Sequence, residues 1–193
     1  MLNKTYFKVA AICGDKGLSR YKTDRMILST SGAAAASNGK VAVVLNPGQL
    51  NGQMILIHKV DALMVNALDK PHIEFNEEPK LYEDGGFLVA QENDGCQLLI
   101  PYKKLREKDM PDIAEITEKN QNPKLKEGCK STTVKIDLLM DVLRTIKEMS
   151  SSETVDIHLA NSIEKVDYSS SLRIEGETHA GPVVGTIMPL WKY

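Results

Sequence analysis

The side chains best suited to catalysis or metal binding are scattered along this sequence. Its cysteines show no CxxC spacing and have no histidine cluster beside them, so a zinc site is not indicated. Its histidines fall in different segments, and no GxSxG, P-loop or HExxH motif is present. The residues concerned are Cys13, Cys96, Cys129, His58, His72, His158 and His179. We therefore expect no catalytic residues, no metal and no cofactor. An enzyme whose active site has no recognisable motif stays open as an alternative.

The composition is that of an ordinary globular protein. Of the 193 residues, 42% are hydrophobic and 26% are charged. The formal net charge of -2 creates no global field for nucleic acid, so any DNA binding must come from a local basic face. No segment is apolar over the length of a membrane span, and the scattered cysteines suit a reducing compartment. We expect a cytoplasmic protein with no membrane contact.

Three segments have the periodicity of amphipathic helices, each followed by strand-like runs. In "KVDALMVNALDK" the apolar set spaced for one buried face is Val60, Leu63, Met64, Ala67 and Leu68. In "IDLLMDVLRTIKEM" the corresponding set is Leu139, Val142, Leu143 and Ile146, with Asp137 as the predicted N-cap. The weaker "NKTYFKVAAIC" offers Phe7, Ala10 and Ala11. All three helices are expected to pack on a sheet.

The strand-like runs are rich in β-branched and aromatic residues and are bounded by turn residues such as Asn38-Gly39 and Asp94-Gly95. They are "RYKTDRMILST", "KVAVVL", "QMILIHK", "HIEFN", "GGFLVAQ", "CQLLIPY", "TVDIHLA", "KVDYSSSLRIEG" and "PVVGTIMPL". The polar stretch 118–132 reads as a linker between domains over 1–117 and 133–193. Helices alternating with groups of strands predict an α+β fold with helices on one face of antiparallel sheets.

Several of these segments, in this order, resemble the bacterial DNA polymerase III beta sliding clamp. The final "TIMPLW" resembles the closing strand of that family, and "VKIDLLMDVLRTI" resembles the strand and helix before it. Upstream, "LSRYKTDRMIL", "AASNGKVAVV", "QMILIHKVDALMVNAL" and "KDMPDIAEI" resemble family motifs in the same order. The resemblance implies a clamp-like fold: residues 1–117 resemble the middle domain, and residues 133–193 resemble the second half of the last domain. Family parts that form the subunit interface have no counterpart, so a closed ring would need a new assembly of several copies.

The resemblance also implies a hydrophobic pocket for short peptide motifs, between the two domain-like segments. Position by position, its lining would include Thr23, Val41, Pro111, Ile116, Leu138, Ile187, Met188 and Leu190. Apolar anchors dominate the binding of extended peptides. The alternative is that all eight residues are ordinary core packing. On the last strand, Met188 and Leu190 would project to one side and Ile187 to the other.

The family plan further implies contacts from helices to DNA phosphates, without sequence readout. The candidates are Lys4, Lys8, Lys59, Arg144 and Lys147, with the loop residues Arg20, Tyr21 and Lys22. Asp61, Asp69 and Asp141 lie on or beside the same helices, so an ordinary solvated face is an equal alternative.

Taken with the resemblance, the sequence predicts a non-enzymatic processivity or docking factor for DNA replication. Its expected partners are a DNA polymerase or other clamp-binding replication proteins, with duplex DNA and further copies of the chain as candidates. The alternative is a regulator or decoy that forms no ring and competes with a true clamp for its partners. Ring formation separates the two hypotheses.

Overall fold

In the computed structural model, which describes residues 2–14, 23–76, 84–105, 134–159 and 172–187, ten strands form one antiparallel sheet. The strands are β1 Arg25–Ser29, β2 Ala33–Ser37, β3 Val41–Leu45, β4 Met54–His58, β5 His72–Asn76, β6 Gly85–Gln91, β7 Gln97–Lys104, β8 Asp156–Leu159, β9 Leu172–Thr178 and β10 Gly181–Ile187. Their order across the sheet is β5-β6-β7-β4-β1-β2-β3-β10-β9-β8.

Three longer helices cover one face of this sheet. They are a 3-10 helix, η1, over Lys4–Ile12, and the α-helices α1 over Lys59–Ala67 and α2 over Ile136–Met149. A short 3-10 turn spans Pro47–Gln49. Each long helix precedes a three-stranded meander: η1 before β1–β3, α1 before β5–β7 and α2 before β8–β10. The expected α+β fold, with helices on one face of antiparallel strands, is confirmed.

A single core lies between the helices and this face. It is formed by every second residue of the strands, as the pleat requires, and includes Leu28, Ile57, Leu88 and Ile174. The 3-10 helix is central, because it packs against both α1 and α2 and inserts the fully buried Phe7. On the other face of the sheet a smaller cluster contains Ile27, Ala35, Val44 and Leu56.

The two segments predicted as separate domains contribute to this one sheet, because β3 pairs with β10 from Leu45 opposite Val183 to Val41 opposite Ile187. Asn46 adds a second connection. Its backbone is left-handed, with φ 53°, and its side-chain amide donates to the carbonyls of Gly32 at 2.8 Å and Ala180 at 2.7 Å. The division into domains remains a prediction.

The predicted buried face of α1 is wrong except at Leu68, which is half-buried and packs against the core, whereas Ala67 is exposed. The structure buries Ala62 and Val65, whereas 58% of Val60, 37% of Leu63 and 48% of Met64 are exposed. Because α1 has apolar residues on two sides, the i, i+3, i+4 spacing alone does not say which side is buried. The prediction chose the side with the larger residues. The sheet instead accepts the smaller residues, which allow α1 to lie close to η1 and β4.

Two smaller expectations are also corrected, and one strand of the sheet has no counterpart among the predicted strands. Ala11 is exposed, although Phe7 and Ala10 are buried as expected. Asp137 lies in the first turn of α2, whose N-cap is Lys135, so the carboxylate acts near the helix dipole instead of capping. The alanine-rich strand β2 had not been predicted, because alanine favours helices and lacks β propensity.

Candidate functional site

The junction of β3 and β10 brings together two of the predicted pocket residues. Val41 and Ile187 are directly opposite each other across the strand pair. Both belong to the core on the helix-covered face, with exposed fractions of 2% and 0%. They therefore form a buried floor at this junction and offer no open surface to a ligand.

Leu138 and Thr23 complete the described part of the predicted pocket. Leu138 is half-buried on the first turns of α2, where it packs against the same core cluster. Thr23 is buried, and its carbonyl accepts a hydrogen bond from the N–H of Gly14 at 2.8 Å. Of the predicted lining that the structure describes, Leu138 alone keeps a partly open side chain. Pro111, Ile116, Met188 and Leu190 lie outside the described residues.

Helix α2 lies directly on the strands of the last meander because two glycines leave room for it. A Cβ added at Gly185 on β10 would come within 2.3 Å of Cγ1 of Val142. A Cβ added at Gly176 on β9 would come within 3.1 Å of Cγ2 of Ile146. These two glycines allow a short distance between α2 and the sheet, and this distance determines how far Leu138 lies from the β3–β10 junction.

Two of the predicted DNA-contacting lysines are held by helix C-termini. The ammonium group of Lys4 donates to the carbonyl of Leu68, the C-cap of α1, at 3.0 Å. That of Lys8 donates to the carbonyl of Glu148 in the last turn of α2. A cation at a helix C-terminus is favoured by the dipole and by the unpaired carbonyls there. In the structure these lysines connect η1 to both neighbouring helices.

The remaining described candidates are spread over two helices. Arg144 and Lys147 are exposed on α2, and Lys59 is half-buried at the start of α1. The exposed surface of α2 also includes Asp137, Asp141 and Glu148, so its charges are mixed. Arg20, Tyr21 and Lys22 lie outside the described residues. The structure therefore places a small cationic pair on α2 and no continuous basic face on the described helices.

The structure places no reactive thiol in this region. Cys13 is buried at the end of η1, and desolvation raises the pKa of its thiol to about 12, with Asp24 acting in the same direction and Lys59 opposing it. A thiol of that pKa is a small apolar packing group at neutral pH. Within the described ranges no three histidine, cysteine, aspartate or glutamate residues are grouped as a metal site. No helix among them is long and apolar enough to span a membrane.

Sequence reasoning did not find the two contacts that assemble this region. His58 caps α1, because its Nδ1 accepts from the N–H of Val60 at 3.4 Å while its Nε2 lies 3.6 Å from a carboxylate oxygen of Asp24. Asn46 joins the meanders through its side-chain amide. The signal for Asn46 was present in "NPG", since asparagine tolerates left-handed backbone, but its partners are more than ten residues away.

The structure is similar to the crystal structure of the DNA polymerase III subunit beta from Pseudomonas aeruginosa, with a TM-score of 0.56 and 12% sequence identity. The similarity covers 97% of this chain and 63% of that chain, so this chain spans less than two thirds of the length of its structural neighbour. No protein-family model matches the sequence, and no curated protein matches it. At this level of identity the similarity establishes the fold: the chain has the clamp-like arrangement of helices on one face of antiparallel strands.

Proposed function

We propose that this chain is a non-enzymatic, clamp-type docking factor that binds short peptide motifs of DNA-replication proteins beside the β3–β10 junction. The observation that carries the proposal is the pairing of β3 with β10. A clamp-like sheet continues from one meander into the next where Val41 is opposite Ile187. Leu138 lies on the helix that covers this join and is partly open to solvent.

In this proposal the site has a buried base and one partly exposed apolar position, and the burial of the described residues supports it. Val41 and Ile187 support the base from within the core, and the glycine contacts of α2 set the position of Leu138. Peptide recognition commonly depends on a few apolar contacts that become fully desolvated, surrounded by residues of little energetic effect. We therefore expect Leu138 to contribute to binding and its exposed neighbours on α2 to contribute little.

Peptide titration tests this site. We expect a glutamine- and leucine-rich clamp-binding peptide to bind the wild type, and Leu138→Ala to weaken it about tenfold, equal to a loss of about 1.4 kcal/mol. The matched control is Ile136→Ala, which truncates a side chain 77% exposed on the same helix and should leave affinity within about twofold. Thermal melts on both variants separate binding from stability. Absence of binding by the wild type, or equal weakening by both substitutions, would contradict the proposed site.

Contact with duplex DNA forms the second part of the proposal and is assigned to Arg144 and Lys147. These cations are exposed on one helix, whereas Lys4 and Lys8 donate to helix carbonyls. Binding through so few phosphate contacts should be weak and strongly dependent on salt. Asp141 and Glu148 nearby lower the affinity further.

Charge reversal tests the DNA contact. We expect Arg144→Glu with Lys147→Glu to abolish most binding to a labelled duplex at low salt and to reduce the slope of log affinity against log salt by about two. The control is Lys40→Glu with Lys104→Glu, which makes the same change in net charge at exposed positions that belong to no helix. Fluorescence anisotropy at several salt concentrations measures both. If the two double variants lose affinity equally, the effect is one of net charge and the assignment to α2 fails.

One observation favours the alternative, a regulator or decoy that forms no ring and competes with a true clamp. The exposed face of α1 is apolar at the position where the family plan requires cations. Retention on primed circular DNA separates the two hypotheses, because a topological ring is retained and an open docking protein is not. A competitor should instead displace the peptide from a true clamp while showing no retention itself.

A further inference from the structure

Two asparagines of this chain are followed directly by glycine, in Asn38-Gly39 and Asn51-Gly52. In such a pair the glycine nitrogen can attack Cγ of the asparagine side chain, because no Cβ on the glycine hinders the approach. Hydroxide takes the N–H proton and the new C–N bond closes a five-membered succinimide ring. The Cγ–Nδ2 bond breaks, and the leaving nitrogen takes a proton from water and departs as ammonia. Water then opens the ring to aspartate or to isoaspartate.

The Asn38-Gly39 pair is held by hydrogen bonds at both reacting groups. Oδ1 of Asn38 accepts from the N–H of Lys40 and from the N–H of Val41, both at 3.0 Å. The N–H of Gly39 donates to Oγ of Ser37 at 3.0 Å. Ring closure has to break these hydrogen bonds before the nitrogen can reach Cγ, and their loss raises the barrier.

The Asn51-Gly52 pair lacks these restraints. Both residues are exposed, in the loop that leads into β4. Among the residues that the structure describes, none forms a hydrogen bond with the side-chain amide of Asn51 or with the N–H of Gly52. Ring closure at Asn51 therefore costs no hydrogen bond of these two groups within the described part of the protein.

Two serine hydroxyls act on the peptide group that joins Asn51 to Gly52. Oγ of Ser31 donates to the carbonyl of Asn51 at 3.0 Å, and Oγ of Ser29 donates to the same oxygen. When the Gly52 nitrogen loses its proton, amide resonance shares the negative charge with this oxygen. Hydrogen-bond donors aimed at an oxygen on which charge develops stabilise the anion. The two hydroxyls therefore favour the deprotonated nitrogen that attacks Cγ.

We propose that Asn51 is a site of spontaneous deamidation, with the nitrogen of Gly52 as the nucleophile and Ser29 and Ser31 as positioning residues. Conversion to aspartate places a new negative charge at an exposed position of the loop. Isoaspartate also lengthens the main chain by a methylene group and so disturbs the hydrogen bonds to Ser29 and Ser31. Peptide and DNA binding play no part in the inference or in its test.

Mass spectrometry of tryptic peptides tests the site with the full chain, since Asn51 falls in the peptide 41–59 and Asn38 in the peptide 26–40. In the folded protein at mildly alkaline pH, we expect deamidation at Asn51 to be at least about tenfold faster than at Asn38. In denaturant the two rates should agree within about threefold, because the hydrogen bonds that distinguish the pairs are lost. Asn51→Gln should abolish the mass increase in the peptide 41–59, because the longer side chain cannot close a five-membered ring. Equal rates in the folded protein, or a preference for Asn51 that persists unchanged in denaturant, would overturn the proposal.

Substitutions at Ser31 test the role of its hydroxyl. Ser31→Ala should slow deamidation at Asn51 by about threefold or more, whereas Ser31→Thr keeps a hydroxyl and should keep most of the rate. The matched control is Thr30→Val, which removes the neighbouring hydroxyl that is not part of the hydrogen bonds to Asn51. The rate at Asn38 should stay the same in all three variants. Equal slowing by Ser31→Ala and Thr30→Val, or a faster reaction in Ser31→Ala, would overturn the role assigned to this serine.

Discussion

Replacing Gly181 by alanine is expected to destabilise the fold by about 3 to 5 kcal/mol, combining backbone strain with lost hydrogen bonds. Gly181 begins β10 with φ 121°, a conformation that residues with a side chain rarely adopt. A Cβ there would also come within 1.9 Å of Oδ1 of Asn46. Asn46 cannot move aside without losing its bonds to the carbonyls of Gly32 and Ala180.

Chemical denaturation of Gly181→Ala and Gly95→Ala measures this difference. Gly95 has φ 88° in the turn between β6 and β7, and nothing lies within 4 Å of an added Cβ. Its substitution should therefore cost only the backbone strain, about 1 to 2 kcal/mol. If both variants lose the same free energy of unfolding, the clash with Asn46 adds nothing to the loss. The hydrogen bonds of Asn46 to Gly32 and Ala180 would then contribute little to stability.

Replacing Gly185 by alanine should have the second largest effect, a loss of about 1 to 3 kcal/mol from overpacking. The new Cβ would lie within 2.3 Å of Cγ1 of Val142, a residue with no exposed surface in the middle of α2. Because the strand backbone is fixed by pairing with β3 and β9, α2 has to move outward. We therefore expect Gly185→Ala to reduce peptide binding as well as stability.

A second substitution shows whether the effect arises at this contact. Val142→Ala alone removes buried methyl groups and should also destabilise the fold. In the double variant the alanine at 185 fills part of the space that Val142 leaves, so the double should be more stable than the sum of the two losses predicts. Simple additivity would contradict the argument. Gly176→Ala, whose Cβ would be 3.1 Å from Ile146, should be milder than Gly185→Ala.

The sequence alone determined most of the local structure, because local structure depends on neighbouring residues. Alternating β-branched runs identified nine of the ten strands, and Asn38-Gly39 and Asp94-Gly95 identified two turns that the structure confirms. For α2 the predicted apolar set does face the core, since Val142 and Ile146 are fully buried and Leu139 and Leu143 pack against the same core. The order of the segments also indicated the clamp-like fold that the structural similarity establishes.

Tertiary structure decided the features for which the local sequence is compatible with more than one conformation or more than one buried face. On α1 both faces are apolar, so packing against η1, and not periodicity, selected Ala62 and Val65 for burial. Strand β2 contains four alanines that favour a helix in isolation, yet they become a central strand because β1 and β3 both pair with it. Nothing in the local sequence distinguishes Lys4 and Lys8 from other lysines. Their hydrogen bonds to the C-terminal ends of α1 and α2 form only because folding places those ends beside η1. The pairing of Val41 with Ile187 joins residues 146 positions apart, and no local pattern specifies a contact at that separation, because its free energy depends on the whole sheet.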